Sequence, residues 1–292
     1  MRRTAGLALA LALALPVSTA AADAPPPAAA PYAMPETETW DMTSAAGRTY
    51  RIFVSRPAGT APESGYPILY VLDGNAMFAG FAEARRIQGF GGRDLDKMIV
   101  VGIGHPGEQV YDPRRMEDFT APITTPELKR LYAKYPSGGR DAFRAFLLDE
   151  LKPAIAKRYP VHPQRQALYG HSLGGLFALH LFFSHPGSFD TIIAASPSIW
   201  WDDQAILAEE AAWRARAGKD GKVARRTRLL LIAGEYETEG SIAQDSAALA
   251  ARLAPLSGEG LRSEYMLLDG ETHVTVPHRS ITATMRSVMR WP

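Results

Sequence analysis

The residues with the clearest chemistry lie together at Gly170-His171-Ser172-Leu173-Gly174-Gly175. This G-x-S-x-G pattern follows the short apolar run Gln166 to Tyr169 and opens the strongly apolar stretch Leu173 to Ser184, which predicts a strand, a sharp turn and a helix. A serine at such a junction sits in a strained turn, and its flanking glycines let strand and helix approach closely. The helix N-terminus beside it favours negative charge. That is the setting of a nucleophile, and a serine nucleophile needs a base, an orienting acid and donors for an oxyanion.

Seven histidines are available as base. His162 lies in a Pro-flanked loop, His171 is inside the turn and is expected to pack there, and His180 and His185 lie on or just after the following helix. His105 follows the apolar run KMIVVGI and could line a pocket. His273, in Asp269-Gly270-Glu271-Thr272-His273 after the last expected strand, fits the chain order nucleophile, acid, base; His278, one helical turn further, is the weaker alternative. The acid should follow a late strand. The run TRLLLIA leads into Gly234-Glu235-Tyr236-Glu237, where Glu237 is preferred, Glu235 is the alternative, and either could be a solvated loop charge. A Ser–His pair without a strong acid also stays open, since the acid contributes less than the other two. For the oxyanion hole, one backbone N–H is expected from Leu173 and the other from Asn75, with Gly74 permitting the turn after Asp73. Arg114 and Arg115 could pair with catecholate oxygens or a carboxylate, or be structural. Trp200, with Trp201, could stack on an aromatic acyl group or belong to the core.

These positions need a scaffold, and the chain alternates strand-like and helix-like segments. Strands are expected at Tyr50 to Val54, Pro67 to Leu72, Lys97 to Ile103, Gln166 to Tyr169, Thr191 to Ala195, Thr227 to Ala233 and Arg262 to Leu268. Helices are expected at Asp141 to Tyr159, Leu173 to Ser184, Asp203 to Ala217, Ile242 to Leu253 and Val276 to Met289. The pattern implies an α/β fold with a mostly parallel central sheet covered by helices on both faces, and sites at the carboxyl ends of its strands.

The first residues read differently. Arg2 and Arg3 precede an apolar run, Gly6 to Val17, and the small residues Ala20-Ala21-Ala22, the layout of a signal peptide over residues 1–22. The run is shorter than the ~20 residues a spanning helix needs, so no stable membrane span is expected after cleavage, and the destination is periplasmic or secreted. Residues 23–37 are a Pro/Ala-rich linker, and residues 38–292 are expected to form a single domain. Removing the leader takes away two Arg and no acid, turning the formal charge from +1 to −1. A nucleic-acid partner is not expected from that balance. With no Cys in 292 residues, disulfides, thiolate metal sites and a Cys nucleophile are excluded, and no cofactor or metal is implied.

The segments LYVLDGNAMF, VGIGHP, Arg114 to Thr120, GHSLGGLFALH, ASPSIWWD and DGETHVTVP resemble the putative-esterase group of α/β-hydrolases, closest to the single-domain periplasmic siderophore esterases of the enterobactin/salmochelin type. The resemblance spans about residues 40–290. It implies an α/β-hydrolase fold and a serine esterase opening a catecholate trilactone, with a small-molecule ester such as a ferric siderophore as partner. On that resemblance Ser172 is nucleophile, His273 base, and the Leu173 and Asn75 N–H groups the oxyanion hole; a Ser–His dyad would leave Glu237 without a role. A general carboxylesterase or feruloyl-type esterase uses the same machinery with a different pocket. A non-enzymatic binding protein would need the Ser, the His or the turn spoiled, and none is.

Overall fold

The computed structural model describes residues 29–91, 94–220, 227–237 and 241–290. The expected signal peptide and residues 23–28 of the expected linker lie outside the described residues, and the last linker position, Thr37, already belongs to the first strand. The unit Pro35–Pro292 is built on one eight-stranded sheet. Its strands are β1 (Thr37–Thr43), β2 (Thr49–Ser55), β3 (Tyr66–Leu72), β4 (Ile99–Gly104), β5 (Val161–His171), β6 (Thr191–Ala195), β7 (Thr227–Gly234) and β8 (Leu261–Leu268). The order across the sheet is β1-β2-β4-β3-β5-β6-β7-β8. β1, β2 and β4 pair antiparallel, and every other neighbour pair is parallel.

β3, β4, β6 and β7 are buried at every position, as strands covered on both faces must be. The edge strand β1 alternates half-buried and exposed residues, and it pairs its Asp41 with Arg51 directly opposite at 2.8 Å. That alternation, mixed with Thr and Glu, is too weak to predict a strand next to a Pro-rich segment, and β1 was not among the expected elements.

Helices α1 (Gly74–Gln88) and α10 (Val276–Met289) pack together, while α6 (Leu173–Ser184) rests on β5 and β6. α6 is buried from Leu173 to Phe183, which explains its lack of a polar face. Between β4 and β5 lie α2 (Arg115–Phe119), α3 (Pro126–Leu131), α4 (Arg140–Ala145) and α5 (Lys152–Arg158). The last two are joined by a π-helical turn, Phe146–Leu151, just before Pro153, so the long helix expected from 141 to 159 is one rod with a bulge.

The helix expected from Asp203 begins differently. Within α7 (Trp201–Gln204), just ahead of α8 (Ile206–Asp220), the backbone turns left-handed at Asp202, Asp203 and Gln204. The break lets the Asp202 carboxylate accept the N–H groups of Thr124 and Thr125, at 2.9 and 2.8 Å, and so tie the segment between α2 and α3 to the segment that follows β6. α9 (Ile242–Leu253) follows β7 over the expected span.

Candidate active site

Three neighbouring parallel strands, β3, β5 and β6, end in residues with left-handed backbone: Asp73 at φ 53°, Ser172 at φ 60° and ψ −120°, and Ser196 at φ 43°. Non-glycine residues adopt such angles at a cost, so the strain is concentrated where the strands deliver their side chains. At Ser172 the neighbouring glycines are obligatory. A Cβ on Gly170 would collide with the Gly174 carbonyl, and one on Gly175 would sit 3.0 Å from Pro197 Cα. The turn is anchored on β6: Ser172 N–H donates to the Ala195 carbonyl at 3.0 Å, and Ser198 N–H donates to the Ser172 carbonyl at 3.2 Å. The Ser172 hydroxyl has Ser198 Oγ as its neighbour at 3.4 Å.

The loops after β7 and β8 are laced to each other. Glu235 N–H donates to the Leu268 carbonyl and Tyr236 N–H to the Glu271 carbonyl, both at 3.0 Å, and Gly270 N–H donates to Glu235 Oε2 at 2.8 Å. A side chain at Gly234 would strike the Glu271 carbonyl. This lacing brings Glu237 and His273 together, with His273 Nδ1 2.6 Å from Glu237 Oε1. The Glu237 side chain is fully buried, and its Oε2 accepts the Ser196 hydroxyl at 2.8 Å and the Gly234 N–H at 2.6 Å. A carboxylate accepts only, so Nδ1 carries the proton and Nε2 presents its lone pair. Among the described residues Nε2 of His273 makes no hydrogen bond. Glu235 is engaged with Gly270 instead.

His171 carries the link between this pair and the serine turn. Its Nε2 donates to the His273 carbonyl at 2.9 Å, and the two rings lie 4.5 Å apart. Burial, and then the neighbouring His273, pushes the His171 imidazole down to about 3, so it is a neutral spacer at working pH.

On the β3 side, Asp73 precedes α1. Arg115 grips it through Nε and Nη2 at 2.7 and 2.9 Å, and its Nη2 also reaches the His171 carbonyl at 3.4 Å. The guanidinium lies against the Tyr111 and Phe119 rings at 5.4 and 5.3 Å. Burial opposes its charge, but Asp73 outweighs burial and raises its pKa further. Arg114 is clamped to Asp112 and half-exposed. Trp200 is half-buried, its ring 5.7 Å from that of Trp201.

The Asn75 side chain is fully used. Its Oδ1 accepts the His105 N–H at 2.8 Å and its Nδ2 donates to the His105 carbonyl at 3.0 Å, while the His105 ring is held by Asp118 at 2.8 Å. Asn75 and Leu173 stand at helix starts, where N–H groups lack intrahelical acceptors. Neither N–H has a hydrogen-bond partner among the described residues. Gly74 differs from expectation in its reason for being glycine. It has no positive φ, and Asp73 makes the turn instead; Gly74 is needed because a Cβ there would come 2.9 Å from Ile103 N. Asp73, Ser196 and Ser198 escaped the sequence reading. The signal was their position, polar residues just past the carboxyl ends of expected strands.

A parallel-rich sheet with a serine in a glycine-flanked strand–helix turn, and a His–Glu pair delivered by the last two strands, is the α/β-hydrolase fold. The family model described as "Putative esterase" matches residues 43–277, and the chain belongs to that family. The ferri-bacillibactin esterase of Bacillus subtilis is 36% identical over 256 residues, covering 84% of this chain and 86% of its own. The siderophore triacetylfusarinine C esterase of Aspergillus fumigatus is 38% identical over 193 residues, covering 63% of each chain. The crystal structure of the BES protein from Bacillus cereus superposes with a TM-score of 0.81 at 33% identity, covering 89% of this chain and 98% of that one. Among the described residues no helix is long and apolar enough to cross a membrane.

Proposed function

We propose that this protein is a serine esterase that hydrolyses the ester bonds of a siderophore, a catecholate trilactone in the first instance. The carrying observation is the pairing of the buried Glu237 with His273, joined through His171 to the turn that strains Ser172. The siderophore step rests on the relatives, whose names specify esters of iron chelators.

In this reading Ser172 attacks the ester carbonyl while His273 Nε2 takes its proton. The tetrahedral oxyanion rests on the N–H groups of Leu173 and Asn75, with the Arg115 charge close by. The imidazolium, stabilised by Glu237, then protonates the departing alkoxide, and water repeats the sequence on the acyl-enzyme. Ser198 holds the serine hydroxyl at rest, and substrate binding draws it to His273; catalytic hydrogen bonds often tighten only in the complex. Arg115 is committed to Asp73, so it acts on substrate as a fixed positive charge, and half-exposed Arg114 is the freer of the two to meet a catecholate. Trp200 offers its exposed edge to an aryl group.

The leader-like residues 1–22 support export and a periplasmic or secreted site of action, which sequencing the mature N-terminus tests. Hydrolysis of enterobactin-like trilactones, compared with short p-nitrophenyl and feruloyl esters, tests the substrate. The expected result is a kcat/KM at least tenfold higher on the trilactone; activity confined to the simple esters overturns the siderophore reading and leaves a general carboxylesterase.

A further inference from the structure

At the amino end of β7, Arg228 is 2% exposed. Its Nη1 donates to the Ser287 carbonyl near the end of α10 at 3.0 Å, which fixes the guanidinium plane. Its Nε and Nη2 are buried and have no hydrogen-bond partner among the described residues. Those two nitrogens form the fork that grips oxyanions side-on. The same protein shows what that fork does with a partner: Arg51, Arg86, Arg114 and Arg115 each place Nε and Nη2 on one carboxylate.

Arg228 lines a recess of about 110 Å³ together with Arg286, Arg290 and Ser287. Ser287 Oγ is also buried, without a partner among the described residues. Glu264 lines the same recess, but its carboxylate is 3.2 Å from Arg262, so three arginines face one carboxylate that is already paired. Burial pulls the Arg228 guanidinium below its ordinary range; the Glu264 and, more weakly, Asp190 charges oppose this and the Arg262 and Arg290 charges add to it. Leaving buried donors unmet is costly, and a native fold rarely gathers three beside one recess.

We propose that this recess binds a free tetrahedral oxyanion of the phosphate class. A carboxylate would satisfy the fork alone. The Ser287 hydroxyl and the two further cations call for an ion with more oxygens and more charge. The site lies about six residues of strand, roughly 20 Å, from the carboxyl end of β7 that leads to Glu237, so it is separate from the ester-cleaving centre and does not depend on the esterase reading.

The test is thermal unfolding of the full chain, titrated with inorganic phosphate at constant ionic strength and pH, against chloride and acetate. The expected result is a saturable rise in Tm with phosphate alone, as for any ligand specific to the native state. Arg228→Gln should abolish it. Arg286→Gln combined with Arg290→Gln, both exposed, should weaken apparent phosphate affinity at least tenfold and keeps the test valid if Arg228→Gln does not fold. An equal rise with acetate, or one unchanged in the double variant, means an adventitious ion only and overturns the proposal. Sedimentation with phosphatidylglycerol vesicles but no response to free phosphate also overturns it, in favour of a lipid headgroup.

Discussion

At the carboxyl end of β7 the strand leads to Glu237, whose buried carboxylate is met by His273, the Ser196 hydroxyl and the Gly234 N–H. At the amino end Arg228 is equally buried, yet two of its donors meet no partner among the described residues. Both are buried charges on one strand, and they differ in satisfaction. A charge whose every direction is matched is locked in orientation, which suits a group that must hold an imidazole in one tautomer. A charge with an unmatched edge is an environment waiting for a ligand of opposite sign. The same contrast exists within the first region. His273 is part exposed and tethered through one nitrogen, whereas its neighbour His171 is buried and neutral.

The comparison is broken most severely at Ser172. Ser172→Ala should lower kcat by about 10⁴- to 10⁶-fold with an unchanged melting temperature, read by steady-state kinetics and calorimetry. A variant keeping half its activity ends the serine-hydrolase reading. Next is Glu237→Gln, which keeps the shape but removes the charge; kcat should fall about 10²- to 10⁴-fold with little change in KM. A loss below threefold would mean that the Ser–His pair works as a dyad. Arg115→Lys keeps a positive charge on Asp73 but loses the two-point grip, and kcat/KM should fall about ten- to a hundredfold.

Smaller still is the acid response of His171. Its folded pKa of about 3 lies below the ordinary 6.5 of the unfolded chain, so the unfolded state binds the extra proton first. Its contribution to stability is therefore full above pH 6.5 and is lost as pH falls toward 3. Urea unfolding across that window should show wild type losing stability more steeply than His171→Gln, by about one proton's worth of slope; parallel curves would remove His171 from the account. The smallest effect belongs to the other end of β7. Arg286→Gln should leave kcat and KM unchanged while weakening phosphate protection, which separates the two regions.

Much of the scaffold was legible in the chain. Continuous apolar runs such as TRLLLIA and the apolar periodicity of Ile242–Leu253 and Val276–Met289 mark their elements with nearly the observed bounds. β1 and α1 were not legible, because the first gains its strand state from pairing with β2 and the second starts on residues that read locally as a turn. The break at Asp202 depends on Thr124 and Thr125, far away in the chain.

For the site, residue type and position after a strand were enough to nominate Ser172, His273 and either Glu235 or Glu237, since side-chain chemistry and strand ends are local properties. Which glutamate faces His273, that His171 bridges the serine turn to the base, and that Arg115 is spent on Asp73 while Arg228 keeps a free fork are matters of a few ångströms between segments up to about a hundred residues apart. Tertiary packing alone decided those, because hydrogen bonding and burial depend on distance and direction in space, and sequence separation carries neither.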